Sequence, residues 1–339
     1  MRPVRLAIVG CGRITEGSHL PAALKATGIE LTALIDGDIE RAGLLARMYG
    51  CRCEVSATLD PVLGKVEGVL IATPNHTHVA LARTALDHGL PVLVDKPLTT
   101  IHADAVQLCE LAQRKGVFIS VGFMTRHYPV VRLMRRLIDE DFLGRLISFH
   151  FEYGTRGGWA PHSSYNLHRD QSGGGVLVVS GTHFLDRMLF WFGAPESFRY
   201  ADDSHGGVEA NCKVRLEFRS GLTGTLFFSK TIDLANCFVM ETDRYRVEIP
   251  WSQGTEIKLH PRVLPGIEMR LEEPSAANGD DCFQLQLEEF ARVIREGGSP
   301  TVDGETGALS VKLCEDFYAR REQLEEPWIR YDGSPMSAL

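Results

Sequence analysis

Apolar positions follow two different rhythms along this chain, and the change between them falls near its first third. Val4-Arg5-Leu6-Ala7-Ile8-Val9, Glu30 to Ile35, Val66 to Ala72, Val92-Leu93-Val94 and Val117 to Val121 are short runs, rich in β-branched residues and nearly continuous in hydrophobicity. That is the pattern of parallel strands buried on both faces. Between them lie stretches of helical spacing. One begins at Ile39-Glu40-Arg41-Ala42, one runs through Val79, Leu81, Ala82, Ala85 and Leu86 to Gly89, and one runs from about Ala103 to Lys115 and is ended by Gly116. Regular βαβ alternation predicts an α/β domain with a doubly wound parallel sheet over residues 1–122.

Past Gly122 a helix carrying Val131, Leu133, Met134 and Leu137 leads to Gly144, and then the period becomes two. Ile147 to Tyr153, Asn211 to Phe218, Leu222 to Phe228, Cys237 to Glu241 and Tyr245 to Ile249 alternate, with short turns such as Arg219-Ser220-Gly221. Alternation with short turns predicts an open, mostly antiparallel sheet with one face buried. The other face is the candidate interface of a homodimer or homotetramer. Two amphipathic helices close the chain, Gln284 to Arg295 and about Glu305 to Arg321, the latter expected to pack back on the first domain. Residues 123–339 are therefore read as an α+β domain for substrate binding and oligomerisation.

A length of 339 residues fits two domains better than one core. Net charge is −8 with no basic run, which argues against nucleic acid and anionic membrane partners. Eight scattered cysteines suit reduced core thiols, and Cys51-Arg52-Cys53 lacks a second pair at zinc spacing, so no metal site is expected. No apolar stretch reaches membrane length, and Met1-Arg2-Pro3 runs directly into a strand without room for a signal peptide. A cytoplasmic protein is expected.

Chemistry collects where the first-half strands end. Gly10-Cys11-Gly12-Arg13-Ile14-Thr15 has the strand–turn–helix setting of a dinucleotide fingerprint, in which pyrophosphate meets backbone N–H groups at a helix N-terminus. Thr15 stands where the third glycine would be. Asp36 ends the second strand, roughly 20 residues on, where an acid binds ribose hydroxyls and repels a 2′-phosphate. NAD is thus expected over NADP, although Arg41 leaves NADP within reach; the alternative for Asp36 is the N-cap of the next helix. In Thr73-Pro74-Asn75-His76-Thr77-His78 the proline fixes a turn, Asn75 or Thr77 can cap the following helix, and both histidines suit exposed capping positions. Asp95-Lys96-Pro97 places two charges at the C-terminal edge of a buried strand, where open α/β sheets bind ligands. Lys96 is a candidate catalytic group, or else a solvated loop lysine.

In the second half, Ser172-Gly173-Gly174-Gly175 introduces Val176 to Asp186. Read as a helix, it puts Val179, His183 and Asp186 on one face. The glycines allow another group to approach closely, while the plainer alternative makes His183 a satisfied core residue. The loop Trp159 to Asp170 carries Trp159, His162, Tyr165, His168 and Arg169, side chains suited to a polyhydroxylated ligand or to a wet surface.

Together, Gly10-Cys11-Gly12-Arg13-Ile14, Ala72-Thr73-Pro74-Asn75-His76, Asp95-Lys96-Pro97, Gly122-Phe123 with Arg126, and Gly173-Gly174-Gly175 through His183 resemble the glucose-fructose oxidoreductase, inositol dehydrogenase and rhizopine-catabolism (Gfo/Idh/MocA) family. The resemblance covers most of the chain. It implies a Rossmann domain followed by an open-sheet domain, an NAD(P) cofactor, and hydride exchange with a secondary alcohol or ketone of a sugar, cyclitol or sugar derivative. It implies Lys96 and His183 as the catalytic pair. Gly10, Gly12, Arg13, Ile14, Asp36, Thr73, Pro74, Asn75, His78, Asp95 and Lys96 would contact the cofactor, and Arg126, Trp159, Tyr165, His168 and Asp170 the substrate. Two departures stand out: the family's usual Glu-Lys-Pro is Asp95-Lys96-Pro97, and the Asp it commonly has four residues before the histidine is Val179. Tyr165, His168 and Asp170 are the expected substitutes for that carboxylate. The alternative reading is a dinucleotide- or sugar-binding protein with little or no catalysis.

Overall fold

The computed structural model describes residues 2–157, 164–205, 207–250, 256–272 and 281–326. Its first half is a six-stranded parallel sheet ordered β3-β2-β1-β4-β5-β6, built from β1 (Val4–Val9), β2 (Ile29–Ile35), β3 (Glu54–Ser56), β4 (Gly68–Ile71), β5 (Val92–Val94) and β6 (Ile119–Val121). Side chains alternate across it. Leu6, Ile8, Leu34, Leu70 and Leu93 face one layer, and Ala7, Val9, Ala33, Ile71 and Val94 face the other. Helices α1 (Leu20–Lys25) and α2 (Ile39–Met48) lie in the first layer, and α3 (His78–Asp87) and α4 (His102–Lys115) in the second. The order reverses between β1 and β4, which opens a crevice at their C-terminal ends.

After α5 (Pro129–Asp139) comes a nine-stranded sheet of the second half, ordered β14-β13-β12-β11-β7-β10-β9-β8-β15. Its strands are β7 (Leu146–Gly154), β8 (Ser197–Asp202), β9 (Asn211–Glu217), β10 (Thr223–Ser229), β11 (Cys237–Thr242), β12 (Tyr245–Pro250), β13 (Glu256–Pro261), β14 (Met269–Glu272) and β15 (Arg321–Gln323). The sheet is mostly antiparallel, as period two predicts, but β7 with β10 and β8 with β15 run parallel. Between β7 and β8 lie α6 (Arg169–Ser172) and α7 (Thr182–Phe192). The inner face packs on α7 through aromatic rings, with Phe151 and Phe184 stacked at 3.9 Å and Trp191 5.3 Å from Phe238. The outer face is polar, carrying pairs such as Arg246 with Glu241 and Glu248.

The last helices, α8 (Asp281–Glu296) and α9 (Gly304–Ala319), return to the parallel sheet, one on each face. Leu287 and Phe290 of α8 join the cluster around Leu6 and Ile8, and Ala308 of α9 joins the cluster around Val92 and Val94. Arg295 binds Glu67 at 2.9 Å through two nitrogens. No described helix is long and apolar enough to cross a membrane.

Candidate active site

The turn after β1 has its shape because Gly10 adopts φ +98°, and a Cβ there would sit 2.3 Å from the carbonyl oxygen of Ala72. Only glycine accommodates both. Thr15 Oγ1 donates to the Gly10 carbonyl at 2.6 Å, so the residue replacing the third glycine closes the turn with its side chain. Gly12, Arg13 and Ile14 are exposed, and a Cβ on Gly12 would meet nothing within 4 Å. Helix starts carry N–H groups without intrahelical acceptors, so this open face fits a pyrophosphate.

Asp36 accepts from the Cys11 amide at 2.7 Å and the Asp38 amide at 2.9 Å. The cap of α2 is Asp38, which accepts from Glu40 and Arg41, so Asp36 is not the capping residue that its position also allowed. Arg41 donates to the Cys11 carbonyl at 2.9 Å and pairs with Glu16. Burial, reinforced by Asp36, pushes the Cys11 thiol up to about 12.

The loop after β4 leaves His76 exposed, as expected, but corrects the expectation for its neighbours. Thr77 Oγ1 binds the Pro74 carbonyl at 2.7 Å and Thr73 Oγ1 at 2.6 Å instead of capping α3. Asn75 is buried, and its Nδ2 donates to the Ser172 carbonyl at 2.7 Å. His78 is fully buried, with Nδ1 2.9 Å from the Pro97 carbonyl and Nε2 2.9 Å from the Thr73 carbonyl. It staples the loops after β4 and β5 together. With both ring nitrogens on main-chain oxygens, it is a support for the cofactor crevice, not one of its contacts.

Lys96 leaves the end of β5 and donates from Nζ to the carbonyl oxygen of Val179 at 2.7 Å, crossing from the parallel sheet to the second half. Burial pushes its pKa down, Asp95 opposes this, and the Lys230 ammonium adds to the depression. Burial alone would raise Asp95, but His19 and then Lys96 and His78 outweigh it and hold the carboxyl below its usual range. His19, with Nε2 3.9 Å from Asp95 Oδ1, is buried in the helix after the glycine turn and escaped the sequence reading. His183 is half-buried beside the Phe123 ring at 6.0 Å, and its Nδ1 has no hydrogen-bond partner among the described residues. Burial and then Lys96 push its pKa well below the ordinary value, leaving a neutral imidazole near pH 7.

The helix before His183 is not uniform. Leu177–Gly181 forms a π-helical turn, so side-chain spacing departs from 3.6 residues at this point. Val179 and His183 are both partly exposed, while Asp186, three residues beyond His183 within α7, is fully buried. The Asp186 carboxylate accepts from Arg126 Nε at 2.6 Å and Nη2 at 2.8 Å. Arg126, 5% exposed, is therefore half of a buried ion pair and not the substrate contact expected of it. The glycine run does permit close approach, and the approaching group is the chain itself. A Cβ on Gly174 would lie 2.0 Å from Tyr318 Oη, and one on Gly175 2.0 Å from the Glu209 carbonyl oxygen. Glu209, another residue the sequence did not flag, accepts from Gly175 N, Leu177 N and Tyr318 Oη at 2.9 to 3.0 Å. Burial pushes its carboxyl up to about 7.

Of the loop candidates, Tyr165 is half-buried and within electrostatic reach of Asp95. His168 and Asp170 are exposed at the start of α6, away from that contact, and Trp159 and His162 lie outside the described residues. Among the described residues no group of three or more His, Cys, Asp or Glu is placed to hold a metal ion.

Residues 4–123 match the model of an oxidoreductase family with an NAD-binding Rossmann fold, and residues 131–255 match the GFO/IDH/MocA C-terminal domain. The chain belongs to the Gfo/Idh/MocA family. Within this family, it is 30% identical over 203 residues to the rhizopine catabolism protein MocA of Rhizobium meliloti, covering 59% of this chain and 61% of that protein. It is 25% identical over 337 residues to the scyllo-inositol 2-dehydrogenase (NAD(+)) of Bacillus subtilis, covering 91% and 92%. A solved levoglucosan dehydrogenase in complex with NADH and levoglucosan superposes with a TM-score of 0.84 at 17% identity, covering 94% of this chain and 97% of that one, which shows a shared fold.

Proposed function

We propose that the protein is an NAD-dependent dehydrogenase or reductase acting on a secondary alcohol or ketone of a sugar, cyclitol or sugar derivative. The observation that carries this reading is the meeting of Lys96, from the parallel sheet, with the π turn before His183, whose Nδ1 has no hydrogen-bond partner among the described residues. The glycine turn and Asp36 fit the dinucleotide: the open Gly12–Ile14 face takes the pyrophosphate and the Asp36 carboxylate the ribose hydroxyls. When bound, NAD would supply the acceptor for the hydride of the substrate carbon.

The chain's own residues handle the proton. Neutral His183 takes the hydroxyl proton as the C–H bond breaks and the C=O bond forms, and returns it in the reverse direction. Lys96 donates to the same oxygen and stabilises its developing negative charge. His78 and Asn75 hold the loops on which these groups stand. A steady-state screen of polyols, inositols and keto-sugars with NAD+ and NADH tests the proposal: turnover is expected in at least one series.

A second reading follows from Val179, which presents no carboxylate where the family commonly has one. On that reading the protein binds dinucleotide or sugar with little catalysis. NADH binding without turnover across the whole screen would favour it and defeat the first.

A further inference from the structure

The ribose end of the cofactor crevice carries both signs of charge, and Cys11 joins them. Its amide donates to Asp36 at 2.7 Å, and its carbonyl accepts from Arg41 Nε at 2.9 Å. An acid suited to the ribose hydroxyls of NAD and a guanidinium suited to the extra phosphate of NADP thus flank one residue. Gly37, next to Asp36, is exposed, and a Cβ there would meet nothing within 4 Å. Side-chain bulk at that position does not exclude a 2′-phosphate, so the choice between the two cofactors falls to the charges.

Arg41 does not stand free to make that choice. While its Nε holds the Cys11 carbonyl, its Nη2 pairs with the Glu16 carboxylate, and both side chains of the pair are half-buried. Glu16 is placed by its main chain. It lies in a π turn, Thr15–His19, directly after the glycine turn; its amide donates to the Gly12 carbonyl at 2.9 Å, and its carbonyl accepts from Tyr49 Oη at 2.7 Å. Tyr49 follows α2, the helix that carries Arg41, so the two segments stay tied together even when the Glu16 side chain is changed. Asp36 is committed as well, with one oxygen on the Cys11 amide and the other on the Asp38 amide.

We propose that Glu16 is a cofactor-specificity residue: by holding Arg41 it withholds from a 2′-phosphate the guanidinium that would otherwise bind it, and so reinforces the preference for NAD that Asp36 sets. The proposal rests on the dinucleotide reading of the crevice and not on which sugar or cyclitol is the substrate. A charge-assisted hydrogen bond between the released guanidinium and the phosphate is worth on the order of tenfold in affinity.

The test titrates NADH and NADPH separately into the protein and follows binding by calorimetry. Wild type should bind NADH more tightly. Glu16→Ala should tighten NADPH by about tenfold and move NADH by less than about threefold. Glu16→Gln, which keeps the shape and loses the charge, should shift NADPH in the same direction and serves if the alanine variant does not fold. In an Arg41→Ala background the Glu16 substitution should lose most of this gain, because the phosphate then has no guanidinium to meet. Unchanged NADPH affinity in both Glu16 variants overturns the proposal, as does an equal change for both cofactors, a full gain without Arg41, or a wild type that already prefers NADPH. Binding of neither cofactor by wild type defeats the dinucleotide reading along with it. NADH binding without turnover of any sugar or cyclitol defeats the oxidoreductase reading and leaves the Glu16 tether standing, since the tether is read from cofactor affinity alone.

Discussion

Lys96 and His183 reach the same crevice from regions built on different rules. Lys96 stands two residues beyond a three-residue buried strand, fixed by its neighbours in sequence and by a histidine staple between adjacent loops. His183 follows a π turn whose position depends on distant groups: Glu209 on Gly175 and Leu177, Tyr318 on Glu209, and Arg126 on Asp186. Local sequence sets the first position, and remote side chains set the second. The second is accordingly the more sensitive to substitutions that touch no ligand.

The sharpest way to break this comparison is through Asp186. Asp186→Ala leaves the Arg126 guanidinium buried and unpaired, and urea unfolding should show a loss of roughly 3–5 kcal/mol, the scale for breaking a buried ion pair. A loss no larger than that of an exposed pair would mean that the second region does not depend on it. Glu209→Gln comes next. The native carboxyl titrates near 7 and an unfolded one near its ordinary 4.5, so the folded state holds a proton that the unfolded chain releases between those values. This stabilising contribution is full below about 4.5 and is lost as pH rises through 7, a change of roughly 3 kcal/mol. The variant should flatten that part of the stability–pH curve in denaturant titrations between pH 4.5 and 8.

Lys96→Met tests the region set by local sequence. It should cut turnover by roughly 10² or more while the protein keeps its fold and its NADH binding. The wild-type pH profile should have an acid limb below 6.5, because His183 is depressed, and an alkaline limb below 10.5, because Lys96 is. Unchanged turnover in folded Lys96→Met removes the residue from the chemistry. The smallest effect belongs to Asp36→Ala, expected to narrow an NAD-over-NADP preference by about tenfold through weaker NAD binding. Paired dissociation constants for the two cofactors decide it, and a wild-type preference for NADP would show that Asp36 serves only the Cys11 and Asp38 amides.

Legibility in the sequence followed the same division. The parallel strands, Gly10, Lys96 and the α4 stop at Gly116 could be read because each rests on a local rule: continuous hydrophobicity, a turn that only glycine makes, a charge at a strand end. β3, β8 and β13 to β15 were missed, being short or weakly apolar and held by pairing across the sheet. Arg126 was misread because its role came from the family resemblance, while the partner that claims it, Asp186, lies 60 residues away and shows only in the folded chain. Glu209 and His19 act only through remote partners.

The return of α8 and α9 to the parallel sheet bears on how the chain is made. Gly68 of β4 leaves a gap that the Phe290 ring fills, since a Cβ there would come within 2.8 Å of it, and Asp303 bridges to Ser120 of β6. A chain emerging from the ribosome thus completes its dinucleotide motif early but lacks the last cover on each sheet face until α8 and α9 have been synthesised. Until then α1 to α4 are the described cover of the sheet, and the place that Phe290 takes beside Gly68 stands open. A truncation ahead of α8 therefore takes packing from both faces of the parallel sheet along with the helices it removes.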